Sequence, residues 1–222
     1  MSGVNTDAPV VIVHGLWMGA WQMRPLKNAL VRANFRCYRY HYASALAPYR
    51  QNQDGLARLV EERIGAACHF VAHSMGGLLV LDLLKRRPEL CAGHVVCLGT
   101  PINGSAVIKK MQRAPFKTIL GHASTPLLKG TGPDMPDLAH SINVSVLAGT
   151  RSVGGGKLFA RFNAENDGSV GIEETQAPWL TYHERLNLSH TQLVYSSRAQ
   201  ARVVALLRGA VLAVKQTGGR RP

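Results

Sequence analysis

The stretch richest in chemistry is Phe70-Val71-Ala72-His73-Ser74-Met75-Gly76-Gly77. Apolar and β-branched residues run into a serine, and small residues follow it, so a strand should turn sharply into a helix. A serine on such a turn is lifted out of the sheet on strained backbone, with its hydroxyl free to attack. So tight a turn admits only small side chains two residues before and after the serine. Ala72 and Gly76 meet that need, with alanine standing where glycine is the usual choice. The plainer alternative is a serine that merely caps the next helix.

A serine hydroxyl needs a base, and the base needs an acid to orient it. After an elbow of this kind, acid and base follow in the chain order serine, Asp or Glu, histidine, on loops past the last strands. His190, in Asn187-Leu188-Ser189-His190, sits between the final strand and the final helix. The other eight histidines lie in or at strands or precede the expected acid. The acid should follow the strand predicted over Ile142–Thr150. Asn166-Asp167-Gly168-Ser169-Val170 offers a carboxylate in a turn, and Asp167 is favoured, with Glu165, Glu173 and Glu174 as rivals.

Acyl transfer also needs two backbone N–H groups for the developing oxyanion. One is expected from Met75, after the serine. The other is expected from Leu16 in the turn His14-Gly15-Leu16, where Gly15 lets backbone and substrate approach closely. Trp17 and Trp21 would then stand near the mouth and line a substrate pocket, or simply pack.

The elements that must position these groups are legible as periodicity. Pro9–Gly15, Phe35–Ala43, Cys68–Ser74, His94–Pro101, Ile142–Thr150 and Thr181–Leu188 read as strands. Helices are predicted around Leu56, Leu59, Val60 and Ile64, over Gly76–Arg87, and at the end around Val203, Leu206, Leu207, Ala210, Val211 and Val214. Alternating strands and helices make an α/β protein, a mostly parallel sheet of about six strands with helices on both faces. Residues 1–222 are expected to form one domain. Ile102–His140 is an insert without a strand; Ile108, Met111, Phe116 and Ile119 alternate there with Lys109, Lys110, Arg113 and Lys117 as in a short amphipathic helix. The pattern leaves open whether that insert covers the site or lies aside. Arg151–Pro178 is long enough to be a functional loop.

Composition narrows the classes. The 222 residues are 46% hydrophobic and 18% charged, which suits a globular domain and excludes disorder. The formal net charge of +13 would favour weak contact with anionic interfaces, but the basic residues are scattered and no nucleic-acid partner is expected. MSGVNTDAPV lacks the basic and apolar regions of a secretory signal, so a cytoplasmic protein is the expectation. Cys91, His94 and Cys97 are spaced like metal ligands, but no second pair follows, so no metal is expected. Gly154–Lys157 fails as a phosphate loop, because Arg151 replaces the required glycine and Leu158 the hydroxyl residue.

Taken in order, HGLWMGAW, AHSMGG, LGTPINGS, NDGSVG and NLSH resemble the α/β-hydrolase superfamily, in its small bacterial lipase and esterase branch, over about residues 9–212. The resemblance implies a compact α/β-hydrolase fold and a serine carboxyl-ester hydrolase with Ser74, Asp167 and His190 as triad. It implies no metal or organic cofactor, and a small-molecule or lipid ester of short to medium acyl chain as substrate. The same scaffold also serves thioesterases, amidases and cyanohydrin lyases, and HGLWMGAW resembles the plant lyase and methylesterase pattern. A non-catalytic module is the remaining alternative.

Overall fold

The structure, a computed structural model, describes residues 7–112, 120–132, 142–153 and 165–209. Six strands form one parallel sheet: β1 (Val10–Val13), β2 (Cys37–Tyr40), β3 (Cys68–His73), β4 (Cys91–Leu98), β5 (Asn143–Gly149) and β6 (Tyr182–Leu186). Their spatial order is β2-β1-β3-β4-β5-β6. All six expected strands are present. The second is shorter than Phe35–Ala43 because Asn34 turns through a left-handed conformation (φ 67°) before it, and pairing with β1 ends at Tyr40.

Side chains alternate across the sheet and so build two cores. Val11 and Val13 of β1 point to one face with Phe70, Ala72, Val95 and Val146. That face is covered by α2 (Tyr49–Arg58), by α3 (Met75–Leu84) and by the insert. Val10 and Ile12 point to the other, with Val71, Val96 and Leu147, under α1 (Arg24–Arg32) and the C-terminal helices. Central strands buried on both sides explain why their sequences read as unbroken apolar runs.

Helix α3 buries nine of its ten residues, as its nearly all-apolar sequence predicts. Its exception, Asp82, accepts a hydrogen bond from Tyr49 Oη of α2 at 3.0 Å. The Leu56 stripe lies on α2 and on the wider turn that continues it over Leu59–Ile64. Helix α1 is one the apolar spacing did not single out, since it buries only Leu26 and Leu30, one turn apart, behind Pro25.

The insert supplies α4 (Ala106–Met111) and α5 (Ser124–Lys129). Ser105 caps α4 by accepting from Ile108 N. Val107, Ile108 and Met111 are buried while Lys109 and Lys110 face solvent, so the amphipathic pattern holds there. Arg113, Phe116, Lys117, Ile119 and His140 fall outside the described residues, as do Gly154–Lys157 and Leu158. Past β6 come α6 (Gln192–Tyr195) and α7 (Ser197–Leu207). Val203, Leu206 and Leu207 are buried under the sheet as expected, and Ala210, Val211 and Val214 are outside the described residues. No helix among the described residues is long and apolar enough to cross a membrane.

Candidate active site

Ser74 occupies the turn between β3 and α3 at φ 54°, ψ −125°, a conformation that few non-glycine residues adopt. Strain of this kind costs about 1–3 kcal/mol and persists only where the surroundings enforce it. Here the backbone of Ser74 is held at both ends. Its N–H donates to Leu98 O of β4 at 2.8 Å, and its carbonyl accepts from Gly77 N and from the buried Thr100 hydroxyl, both at 3.0 Å. Gly76 packs directly on the end of β1, where a Cβ would run into the His14 carbonyl, and Gly77 packs as closely on Thr100. The small residues after the serine therefore answer to the neighbouring strands as well as to the turn.

Asp167 and His190 come together from loops 23 residues apart, with Nδ1 of His190 2.6 Å from Oδ2 of Asp167. The carboxylate is almost wholly buried, and its other oxygen accepts from Ser169 N at 2.9 Å and Val170 N at 2.7 Å. His190 N donates to Asp167 O at 2.9 Å, so backbone and side chain both register the two loops. Orientation by a buried carboxylate requires the proton on Nδ1 and leaves Nε2 as acceptor.

Two of the rival carboxylates are engaged elsewhere, and the third is exposed. Glu165 pairs with Arg185 at the surface. Glu174 accepts from Ala106 N at 2.6 Å and Gly171 N at 3.0 Å, joining α4 to the Asp167 loop, and burial raises its pKa. Glu173 is exposed, and its backbone carbonyl accepts from the Asn103 side-chain amide.

The 14–17 turn is braced by residues the sequence did not flag. His14 is buried and stacks on Tyr42 at 4.4 Å. Its Nδ1–H donates to Gly15 O at 2.9 Å, and its Nε2 accepts from Tyr42 N at 3.3 Å. Only the neutral ring can make both bonds, and burial pushes its pKa down to about 4. The Ser44 hydroxyl accepts from Trp17 N, holding Trp17 at φ 55°. His73 is buried behind the elbow, its Nε2–H donating to His190 O at 3.1 Å and its ring 4.6 Å from that of His190. Burial, then the neighbouring His190, lowers its pKa to about 3, so it too stays neutral.

A model of the alpha/beta hydrolase family matches residues 10–215. The chain belongs to that family. It is 31% identical over 121 residues to the "Putative carbamate hydrolase RutD" of Pantoea ananatis, a match covering 50% of this chain and 42% of that protein. The match thus spans less than half the length of this curated relative. In fold the chain is similar to a mature Bacillus licheniformis lipase, BlEst2 (TM-score 0.75, 18% identity, 92% of this chain and 94% of the other). It is also similar to the Bacillus subtilis carboxylesterase CesB (TM-score 0.58, 16% identity, 93% and 86%).

In this chain, Ser74 and His190 both open on a cavity of about 270 Å³. Its walls are mainly apolar: Leu16, Trp17, Pro101 and Val170 from the sheet loops, and Val107, Ile108, Met111 and Leu127 from the insert. Leu16 thus stands in the cavity wall, and Met75 is the first residue of α3, where backbone N–H groups have no partner within the helix. Trp17 also lines this cavity. Trp21 does not: the Ala20–Met23 turn carries it to a separate outer groove with Arg24 and Tyr195, where it is 73% exposed. Among the described residues no His, Cys, Asp and Glu gather as a metal site, and Cys91 Sγ instead donates to His94 O.

Proposed function

We propose that this hydrolase cleaves carboxyl esters of short to medium acyl chain through an acyl-serine intermediate. The observation that carries the proposal is the strained Ser74 and the buried Asp167–His190 pair facing one apolar cavity. Ser74 Oγ attacks the ester carbonyl and gives its proton to His190 Nε2, while Asp167 holds the imidazole and stabilises its charge. The N–H groups of Leu16 and Met75 receive the oxyanion, Met75 with the added field of the α3 N-terminus. Collapse breaks the bond to the leaving oxygen, which takes the proton from His190. Water then attacks the acyl-enzyme with His190 again as base, releasing the acid and restoring Ser74.

The insert covers the acyl side of the site in this proposal, its α4 and α5 side chains forming much of the wall. A volume of about 270 Å³ falls just below the roughly 300–1,000 Å³ of drug-sized sites, which favours a compact acyl group. The name of the Pantoea relative supports carbamate cleavage as a second reading, with the same nucleophile. The test is fluorophosphonate labelling combined with 4-nitrophenyl esters from acetate to palmitate and a matched aryl carbamate. Labelling lost in Ser74→Ala and rates highest at short and medium chains are expected. Equal labelling of Ser74→Ala would remove the serine from the mechanism, and turnover of the carbamate alone would favour the second reading.

A further inference from the structure

A second, smaller cavity also touches Ser74 and His190, and is lined by Met18, Gln22, His73, Thr191 and Tyr195 rather than by the insert. Gln22 and Tyr195 also line the outer groove, whose other walls include Trp21, Arg24, Asn28 and Arg32. The two spaces share these two side chains as walls, which puts the groove next to the side cavity. The groove carries two cations and no carboxylate. Arg24, Asn28 and Arg32 lie at successive four-residue steps along α1, so they share one face, and all three are exposed. Neither arginine has a carboxylate within salt-bridge distance among the described residues.

The surroundings keep the field positive. No acidic residue occurs between Asp7 and Asp54 or after Glu184, so α1 and α7, packed on the same face of the sheet, present arginines and lysine with little to neutralise them. Glu184 is the exception, and it is committed to Arg202 at 2.7 Å.

The direction of departure follows from the chemistry. His190 must hand its proton to the leaving oxygen, so the leaving group lies beside His190, and Thr191 and Tyr195 continue the chain from it along the second cavity. The apolar cavity under the insert takes the acyl group, which leaves the groove for whatever the oxygen was attached to.

We propose that the preferred substrates are acyl esters whose alcohol portion is anionic, bearing a carboxylate or phosphate that Arg24 and Arg32 bind, with Trp21 stacking on any planar part. This rests on the ester-hydrolase reading of Ser74. Guanidinium groups suit either anion because their paired donors match its oxygens.

The test compares benzyl butyrate with its 3-carboxylate, which share acyl group and leaving oxygen and differ by one charge. A preference of roughly five- to tenfold in kcat/KM for the anionic ester, carried by KM, is the scale of two exposed charge contacts, and 0.5 M salt should erode it. Arg24→Gln/Arg32→Gln should bring the ratio to one with benzyl butyrate unchanged, and the paired lysine variant should keep much of the preference. Arg58→Gln, on α2 across the sheet, controls for net charge. A wild-type ratio of one, an equal loss in Arg58→Gln, or a fall for both esters in the double variant would overturn the proposal. Calorimetric titration with 3-(hydroxymethyl)benzoate against benzyl alcohol reads the subsite without turnover. If neither ester is cleaved, tighter binding of the anion that vanishes in the double variant sustains the groove while the ester reading fails. Equal binding of the two alcohols overturns the groove itself.

Discussion

Gly99 follows β4 at φ 57°, and a Cβ there would sit 3.0 Å from His190 Nδ1, 3.0 Å from Leu193 Cδ1 and 3.1 Å from Asp167 Oδ2. Gly99→Ala therefore pushes a methyl group against the hydrogen bond between Asp167 and His190, the proposed acid and base. Ordinary contact needs about 3.5–4.0 Å, so the imidazole must retreat by about half an ångström. A displacement of 1 Å can cost about a hundredfold in rate, which places Gly99→Ala at roughly ten- to a hundredfold in kcat, with KM little changed. The backbone adds its own cost. A left-handed alanine is disfavoured by roughly 1–2 kcal/mol, offset by roughly 0.4–1 kcal/mol from the stiffer unfolded chain. Gly65 isolates that part, since it has φ 69° and nothing within 4 Å of its would-be Cβ. Gly65→Ala should lose roughly 0.5–1 kcal/mol of stability and no activity, whereas Gly99→Ala adds a crowding cost of roughly 1–3 kcal/mol. Initial rates on a 4-nitrophenyl ester and urea midpoints for the two variants make the comparison. A Gly99→Ala enzyme with wild-type kcat would refute the view that the Asp167–His190 geometry sets the rate.

Other consequences are open to the same assays. Asp167→Asn should lose on the order of 10²–10⁴-fold in kcat, because the wrong tautomer of His190 is favoured. Glu174→Gln should chiefly raise KM by loosening α4, and the reverse pattern would make Glu174 the acid. His14 and His73 are neutral in the fold, their pKa values lowered by burial to about 4 and about 3, and both gain protons below about pH 6.5 when unfolded. The unfolded state thus binds more protons between pH 6.5 and 4, so stability should fall by several kcal/mol over that window, and a urea midpoint constant from pH 7 to 4.5 would contradict this. Rate against ester concentration should saturate smoothly through the solubility limit. A jump at that limit, with negligible activity below it, would show that the insert closes the site until an interface opens it.

Much of this architecture is written locally. A parallel strand buried on both faces must be apolar along most of its length, so β1, β4 and β5 contain β-branched apolar runs while the half-buried edge strands β2 (CYRY) and β6 (YHERL) do not, and an elbow must have small residues at Ala72 and Gly76. The position of His190 after the last strand follows from chain order alone. Helix α1 escaped notice because a short helix on one core face needs only Leu26 and Leu30. What local pattern could not decide is which distant groups meet. Four carboxylates stood within reach of the acid's place, and the choice of Asp167 depends on the Asn166–Gly171 turn, which spends one carboxylate oxygen on Ser169 and Val170 N–H and aims the other at His190. The braces supplied by Tyr42, Ser44, His73, Gly99 and Thr100 are contacts between strand ends far apart in sequence. Trp17 and Trp21 are alike in type and four residues apart, yet one lines the cavity and the other a groove outside it. Side-chain type sets the chemistry available at each position, but only the packing of the sheet and its loops sets which side chains share a solvent-shielded volume.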